Sequence, residues 1–242
     1  LLLTAMQVRA QTDEIQVYNG EIAAPRVFNL TLHDNYTIDG PRRPGLPGGI
    51  VPNHSLNGVA EWAYGVTGWF EAGLYLPLYS ISRNGGFTYD GLKVRTLFVV
   101  PNAAERRFFY GVNFEFSRNT ARWDSFADTQ EIRPIIGWRL GPVDVIFNPI
   151  LDNSWKGFSR LDFAPATRAA YNLNKNWAVA GEEYDDFGPL RGFLSSSQQR
   201  HQLFAVLDFG GKPWSIEGGL GVGFTGATEH RMFKLILQRD LN

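Results

Sequence analysis

The strongest constraint on this chain is the strict alternation in residues 61–80, EWAYGVTGWFEAGLYLPLYS. Strand side chains point to opposite faces with a period of two, so the pattern can be read directly as two surfaces. After a turn at Val66, Thr67 and Gly68, one face carries Phe70, Ala72, Leu74, Leu76 and Leu78. The other carries Glu71, Gly73, Tyr75, Pro77 and Tyr79. Before the turn, Ala60, Trp62 and Tyr64 alternate with Glu61 and Ala63, and Trp62, Tyr64 and Trp69 crowd the turn. A strand of about ten residues with one oily face, ending in aromatics at a short turn, is the repeating unit of a transmembrane β-barrel.

The same unit recurs down the chain. Phe28, Leu30 and Leu32 oppose Asn29, Thr31 and His33; Leu92, Val94, Thr96, Phe98 and Val100 oppose Lys93 and Arg95. Phe108, Tyr110, Val112, Phe114 and Phe116 oppose Asn113 and Glu115; Ile132, Ile136, Trp138 and Leu140 oppose Glu131, Arg133 and Arg139. Residues 202–209 are apolar on both faces, which leaves their register open. The expected fold is all-β, a single antiparallel barrel of about twelve strands. Long connections are expected near residues 38, 82, 117, 152, 185 and 225, and short ones near 66, 101, 141, 174 and 210. Barrels of this kind keep short turns on the periplasmic side and longer loops outside.

Composition agrees. Aromatic residues make up 14% of 242 residues, with 26 glycines. A mean hydropathy of −0.20 is compatible with a polar lumen and polar loops. No run of eighteen or more apolar residues exists, so no transmembrane helix is expected. There are no cysteines, which removes disulfides and thiolate metal sites. A net charge of −1 without a basic stripe argues against nucleic acid. Residues 1–10 read as the end of a signal peptide, with a small-residue cleavage pattern at Val8, Arg9 and Ala10. Residues 11–25 are expected to form a periplasmic tail that could fold back into the lumen, and 26–242 the barrel.

The whole strand pattern resembles the outer-membrane β-barrels of Gram-negative bacteria. More narrowly, Glu61, the run Tyr64, Gly65, Val66, Thr67 and the run Gly73, Leu74, Tyr75, Leu76, Pro77 resemble an element of outer-membrane proteins of the phenol-degradation meta-pathway or putative transporter type. That resemblance implies residence in the bacterial outer membrane and passage of small compounds, aromatic ones among them.

Charged side chains facing lipid are costly, roughly 2–4 kcal/mol for Arg or Lys at midplane, so the charged positions of these strands should line the lumen. They are Glu61, Glu71, Lys93, Arg95, Glu115, Glu131, Arg133, Arg139, Asp144, Arg168, Glu182, Glu217 and Lys234. These either set the selectivity of a polar path or brace a closed interior. Trp62, Trp69, Trp138, Trp177 and Trp214 fall near short turns and are expected as an aromatic girdle, since indole is both wet and greasy.

Other chemistry is less well supported. The run His54, Ser55, Leu56, Asn57, Gly58 resembles the motif of outer-membrane phospholipases, but adjacent residues in a strand diverge, so a Ser–His pair is not expected unless the run lies in a loop. His33, His54, His201 and His230 map toward the long-loop end, where a rim metal site is conceivable. Residues 182–186, EEYDD, could bind calcium but read more simply as a solvated loop. No cofactor, metal or catalytic residue is therefore expected. The expected partners are outer-membrane lipid, lipopolysaccharide and a small solute. The function expected first is a channel or transporter; the alternatives are a closed structural or interaction barrel and a lipid-modifying enzyme.

Overall fold

The computed structural model describes residues 14–155, 157 and 161–242. The expectations for residues 1–13, including the signal peptide, lie outside the described residues.

Among the described residues there are fifteen strand segments, all joined in one antiparallel sheet. They are β1 (Phe28–Asp39), β2 (Leu56–Thr67), β3 (Phe70–Ile81), β4 (Phe87–Val99), β5 (Phe108–Asn119), β6 (Asp128–Leu140), β7 (Val143–Asn148), β8 (Leu151–Asn153), β9 (Asp162–Phe163), β10 (Ala166–Asn172), β11 (Trp177–Asp186), β12 (Gly188–Pro189), β13 (Arg200–Gly210), β14 (Ser215–Gly223) and β15 (Arg231–Asp240). Three staves of the wall are interrupted, as β7 and β8, β9 and β10, and β11 and β12, so the wall has twelve staves. Pro149 and Pro165 sit at two of the interruptions, where the ladder loses a donor. The sheet closes where β1 pairs with β15, from Asn29 opposite Asp240 to Asp39 opposite Arg231. Closure pairs the first long strand with the last, as a strand structure in lipid requires, and only the short β12 is left with a single neighbour among the described residues.

Burial follows the alternation. On β1, Asn29, Thr31, His33, Asn35 and Thr37 are buried inside, while Leu30 and Leu32 look outward. The open register of β13 is fixed by its neighbours. Gln202, Phe204 and Val206 point in, and Leu203, Ala205 and Leu207 point out. Two expectations along the chain need correction. A register shift between Tyr75 and Leu78 swaps the faces of β3 beyond that point, so Leu78 is buried inside and Tyr79 lies outside. The connection of residues 82–86 is also short, because β4 starts at Phe87, whereas residues 100–107 between β4 and β5 include a 3-10 turn at Ala103–Glu105. On the outer face the Tyr79 hydroxyl donates to Asp34 at 2.6 Å.

Inward glycines make room for inward rings. Gly137 pairs directly with Phe109, and a Cβ on Gly137 would lie 2.0 Å from that ring. Gly221 stands opposite Phe204 in the same way, with a Cβ meeting the ring at 2.4 Å.

Candidate functional site

The lumen is the candidate site, and its lower half is occupied. Residues 14–24 run inside the barrel, from Ala24 beside Gly65 at the turn end up to Glu14. Ile15, Val17 and Tyr18 are buried there. Val17 and Tyr18 join an apolar cluster of inward residues that includes Leu97, Val99, Phe109, Ile135 and Ile146. Ile15 packs with Phe204, Val206 and Met232. These apolar positions explain why an apolar segment can lie in a barrel lined elsewhere by charge.

The segment's backbone, which has no strand partner, is bonded by wall side chains. Asn148 holds Tyr18 at both ends of its peptide unit, accepting from the backbone N–H at 2.7 Å and donating to the carbonyl at 3.1 Å. Arg133 donates to the Gln16 carbonyl at 3.1 Å and Lys234 to the Ile15 carbonyl at 3.2 Å. The Ala23 N–H donates to Glu71. The hydroxyls of Tyr18 and Tyr75 share a hydrogen bond of 2.6 Å.

The charged wall positions form two networks. The first joins β1 to β6. Arg95 bridges Glu61 and Glu71, His33 Nε2 lies 3.1 Å from Glu61, Lys93 reaches Glu115 at 3.5 Å, and Arg133 bonds Glu131 at 2.6 Å. Arg133 also stacks over the Tyr18 ring at 4.3 Å. The second network lies across the lumen on β10 to β15. Arg168 pairs with Glu182, Asp208 and Glu217, while Lys234 pairs with Glu182 and, at 2.6 Å, with Glu217. Tyr184 donates to Glu182 at 2.7 Å. Glu182 and Lys234 are fully buried, so their mutual pairing is what makes their burial tolerable.

Two of the charged positions sit apart, near the turn end. Arg139 donates to the Ala103 and Arg106 carbonyls and covers the Phe109 ring at 4.1 Å. Asp144 accepts from Asn172 at 2.9 Å. Sequence reasoning did not single out Tyr18, Tyr184 or Asp208, which complete the networks.

Above the segment, toward the long loops, a cavity of about 600 Å³ remains. Its wall includes Glu14, Lys93, Glu131, Asp152, Asp162 and Trp123. Burial in the loop between β5 and β6 holds the nearby Asp124 carboxyl above its ordinary range.

Four of the five girdle tryptophans lie at or near short turns. Trp69 lies in the β2–β3 turn, Trp177 opens β11, Trp214 precedes β14 and Trp138 is two residues from the end of β6. Trp138 packs on Phe108 at 5.4 Å and Trp177 on Phe209 at 4.8 Å. Trp62 is different: it pairs with Leu74 well up the wall and donates to the Leu76 carbonyl at 2.9 Å.

The remaining candidates are not brought together. His54 has φ +61°, and its Nδ1 lies 3.5 Å from the Tyr36 hydroxyl, while the Ser55 hydroxyl turns inward and donates to the Pro52 carbonyl at 2.7 Å. The two side chains diverge, so they form no nucleophile–base pair. His33 belongs to the first network rather than the rim, and His201 bonds Asp185 at 2.6 Å. His230 is exposed, 4.0 Å from Asp39. In the EEYDD run, Glu182 faces the lumen and Glu183 is exposed on the other face. No group of three or more Asp, Glu or His side chains placed to hold a metal occurs among the described residues.

No known family model matches the chain, and no curated protein matches it in sequence. Its fold is shared with solved outer-membrane barrels. The COG4313 outer membrane channel from Pseudomonas putida F1 is 11% identical over 94% of this chain and 100% of that one, with a TM-score of 0.60. The KdgM porin, whose structure is also known in complex with disordered oligogalacturonate, is 9% identical over 88% of this chain and 99% of its own, with a TM-score of 0.56. At such identities the likeness defines a class, the twelve-stranded bacterial outer-membrane β-barrel, and goes no further.

Proposed function

We propose that the chain is an outer-membrane channel for small solutes whose lumen is closed at rest by its own residues 14–24. The observation that carries this reading is the contrast between a lower lumen filled by a segment that belongs to no strand and an upper cavity left open. A barrel built only as a brace would gain nothing from filling one half and leaving the other empty. That the two similar folds are a channel and a porin supports the reading. The charged positions Glu71, Arg95, Glu115, Arg133, Arg139 and Arg168 would then set the charge preference of the path once the segment shifts. Outer-membrane lipid and lipopolysaccharide would surround it. The tight pairing of the two networks favours a second reading, a closed barrel that serves as a scaffold.

The test is single-channel conductance in planar bilayers with the segment tethered and released. The chain has no cysteine, so Tyr18→Cys with Asn148→Cys provides one defined cross-link. Conductance events in the reduced protein that vanish on oxidation are expected. A sealed lumen in both states would establish the scaffold reading instead.

A further inference from the structure

We propose that the lower lumen is a binding site for short extended peptides, and that residues 14–24 occupy it as a built-in stand-in. This deepens the channel reading, on which it rests, by naming a solute class.

The wall reads main chain. Asn148 on β7 is fully buried and turns its carboxamide into the lumen. It accepts from the Tyr18 N–H at 2.7 Å and donates to the carbonyl of the same residue at 3.1 Å. Facing residues of an antiparallel strand pair exchange the same two bonds, so this carboxamide takes the place of a neighbouring strand. A buried carboxamide needs both a donor and an acceptor in front of it. The N–H and C=O of one peptide residue supply the two at the right spacing. Around the segment, Lys234 on β15 donates to the Ile15 carbonyl and Arg133 on β6 to the Gln16 carbonyl, while Glu71 on β3 accepts from the Ala23 N–H. All these bonds go to atoms that every peptide carries, so the wall can hold a chain other than its own.

The pockets add selection. Ile15 fits among Phe204, Val206 and Met232. Three positions on, Tyr18 packs in the cluster of Leu97, Phe109 and Ile135. Its ring lies under Arg133 at 4.3 Å, and its hydroxyl meets that of Tyr75 at 2.6 Å. The preferred ligand therefore places an aliphatic residue three positions before a tyrosine. Main-chain bonds for affinity and side-chain pockets for choice are the general means of capturing an extended peptide. Residues 14–19 contain no helix, turn or bend. The first bend comes at Gly20, with φ +79°, where a Cβ would lie 2.8 Å from the Phe109 ring. That bend sets the length of the straight part of the site.

The test is isothermal titration calorimetry on the full chain carrying Tyr18→Ala, in detergent micelles. This change loosens the segment and leaves the wall as it is. Val17→Asp, which sets a charge in the apolar cluster, is a second way to expel the segment, and circular dichroism reports that both barrels stay folded. The probes are the hexapeptide EIQVYN with blocked ends, the same peptide N-methylated at its tyrosine, and maltotriose. The hexapeptide should give saturable heat and maltotriose none. The methylated peptide should bind at least about tenfold more weakly, the scale of a buried acceptor left without its donor. Asn148→Leu added to Tyr18→Ala should weaken the hexapeptide as much. No hexapeptide heat in either variant, equal binding of the methylated peptide, unchanged affinity with Asn148→Leu, or equal binding of maltotriose would each overturn the proposal. Conductance without hexapeptide binding would sink the peptide site alone, and hexapeptide binding in a barrel that never conducts would sink the channel alone.

Discussion

The two halves of the lumen solve the same problem in opposite ways. Both must place charge inside a wall that lipid surrounds. Near the turns, charges are matched one against another and the remaining space is taken by residues 14–24. Near the loops, acid outnumbers base among the described lining residues and the space is left open. Pairing with packing gives rigidity, whereas an unfilled void leaves room for movement. The difference teaches that a charged lumen is not by itself a path; what matters is whether the space between the charges is filled.

The largest expected effect lies in the matched half. Lys234→Met leaves buried Glu182 without one of its two cations, and breaking such a pair costs about 3–5 kcal/mol. Urea unfolding in micelles should show it; a loss below 1 kcal/mol, on the scale of an ordinary surface pair, would mean the lower lumen is wetter than its burial implies. Next comes the boundary between wall and lipid. Leu220→Arg puts a charge on the outer face of β14, where Leu220 is 62% exposed, and should cost about 2–4 kcal/mol. An Arg tolerated there without loss in lipid vesicles would contradict the assignment of faces. Gly137→Ala drives a methyl into the Phe109 ring and should cost about 1–3 kcal/mol, measured by the same unfolding curves. The smallest effect belongs to the loop end. Arg118 and Asp128 pair at 2.6 Å while 66% and 60% exposed, so Arg118→Ala should cost at most about 1 kcal/mol. A larger loss would blur the contrast between the two halves.

The wall was legible because a period of two survives any detail of packing. On β1 and β15 the expected oily positions fall outside, Leu30 and Leu32 on one and Phe233, Leu235 and Leu237 on the other. It failed at Leu78 and Tyr79, since alternation carries no mark of the shift between Tyr75 and Leu78. The occupied lumen was half legible. Residues 15–18 read as strand-like, but what receives them is a patch of inward apolar residues scattered over several strands, Leu97, Phe109, Ile135 and Ile146 among them. Two signals were present and went unused: apolar side chains on the supposedly polar face, and glycines set opposite inward aromatics at Phe109 and Phe204. The pairing of Asp152 with Asp162 on the cavity wall was not legible. The two are separated by a connection whose length says nothing about which residues will face each other.

The seam between β1 and β15 has a consequence for how the molecule comes into being. The strand made first finds its final neighbour only when the strand made last arrives. Residues 14–24 precede both, so they must already be in place when the cylinder shuts, or else be threaded afterwards through a finished pore. Enclosure during closure is the simpler course: the wall is wound around its own contents.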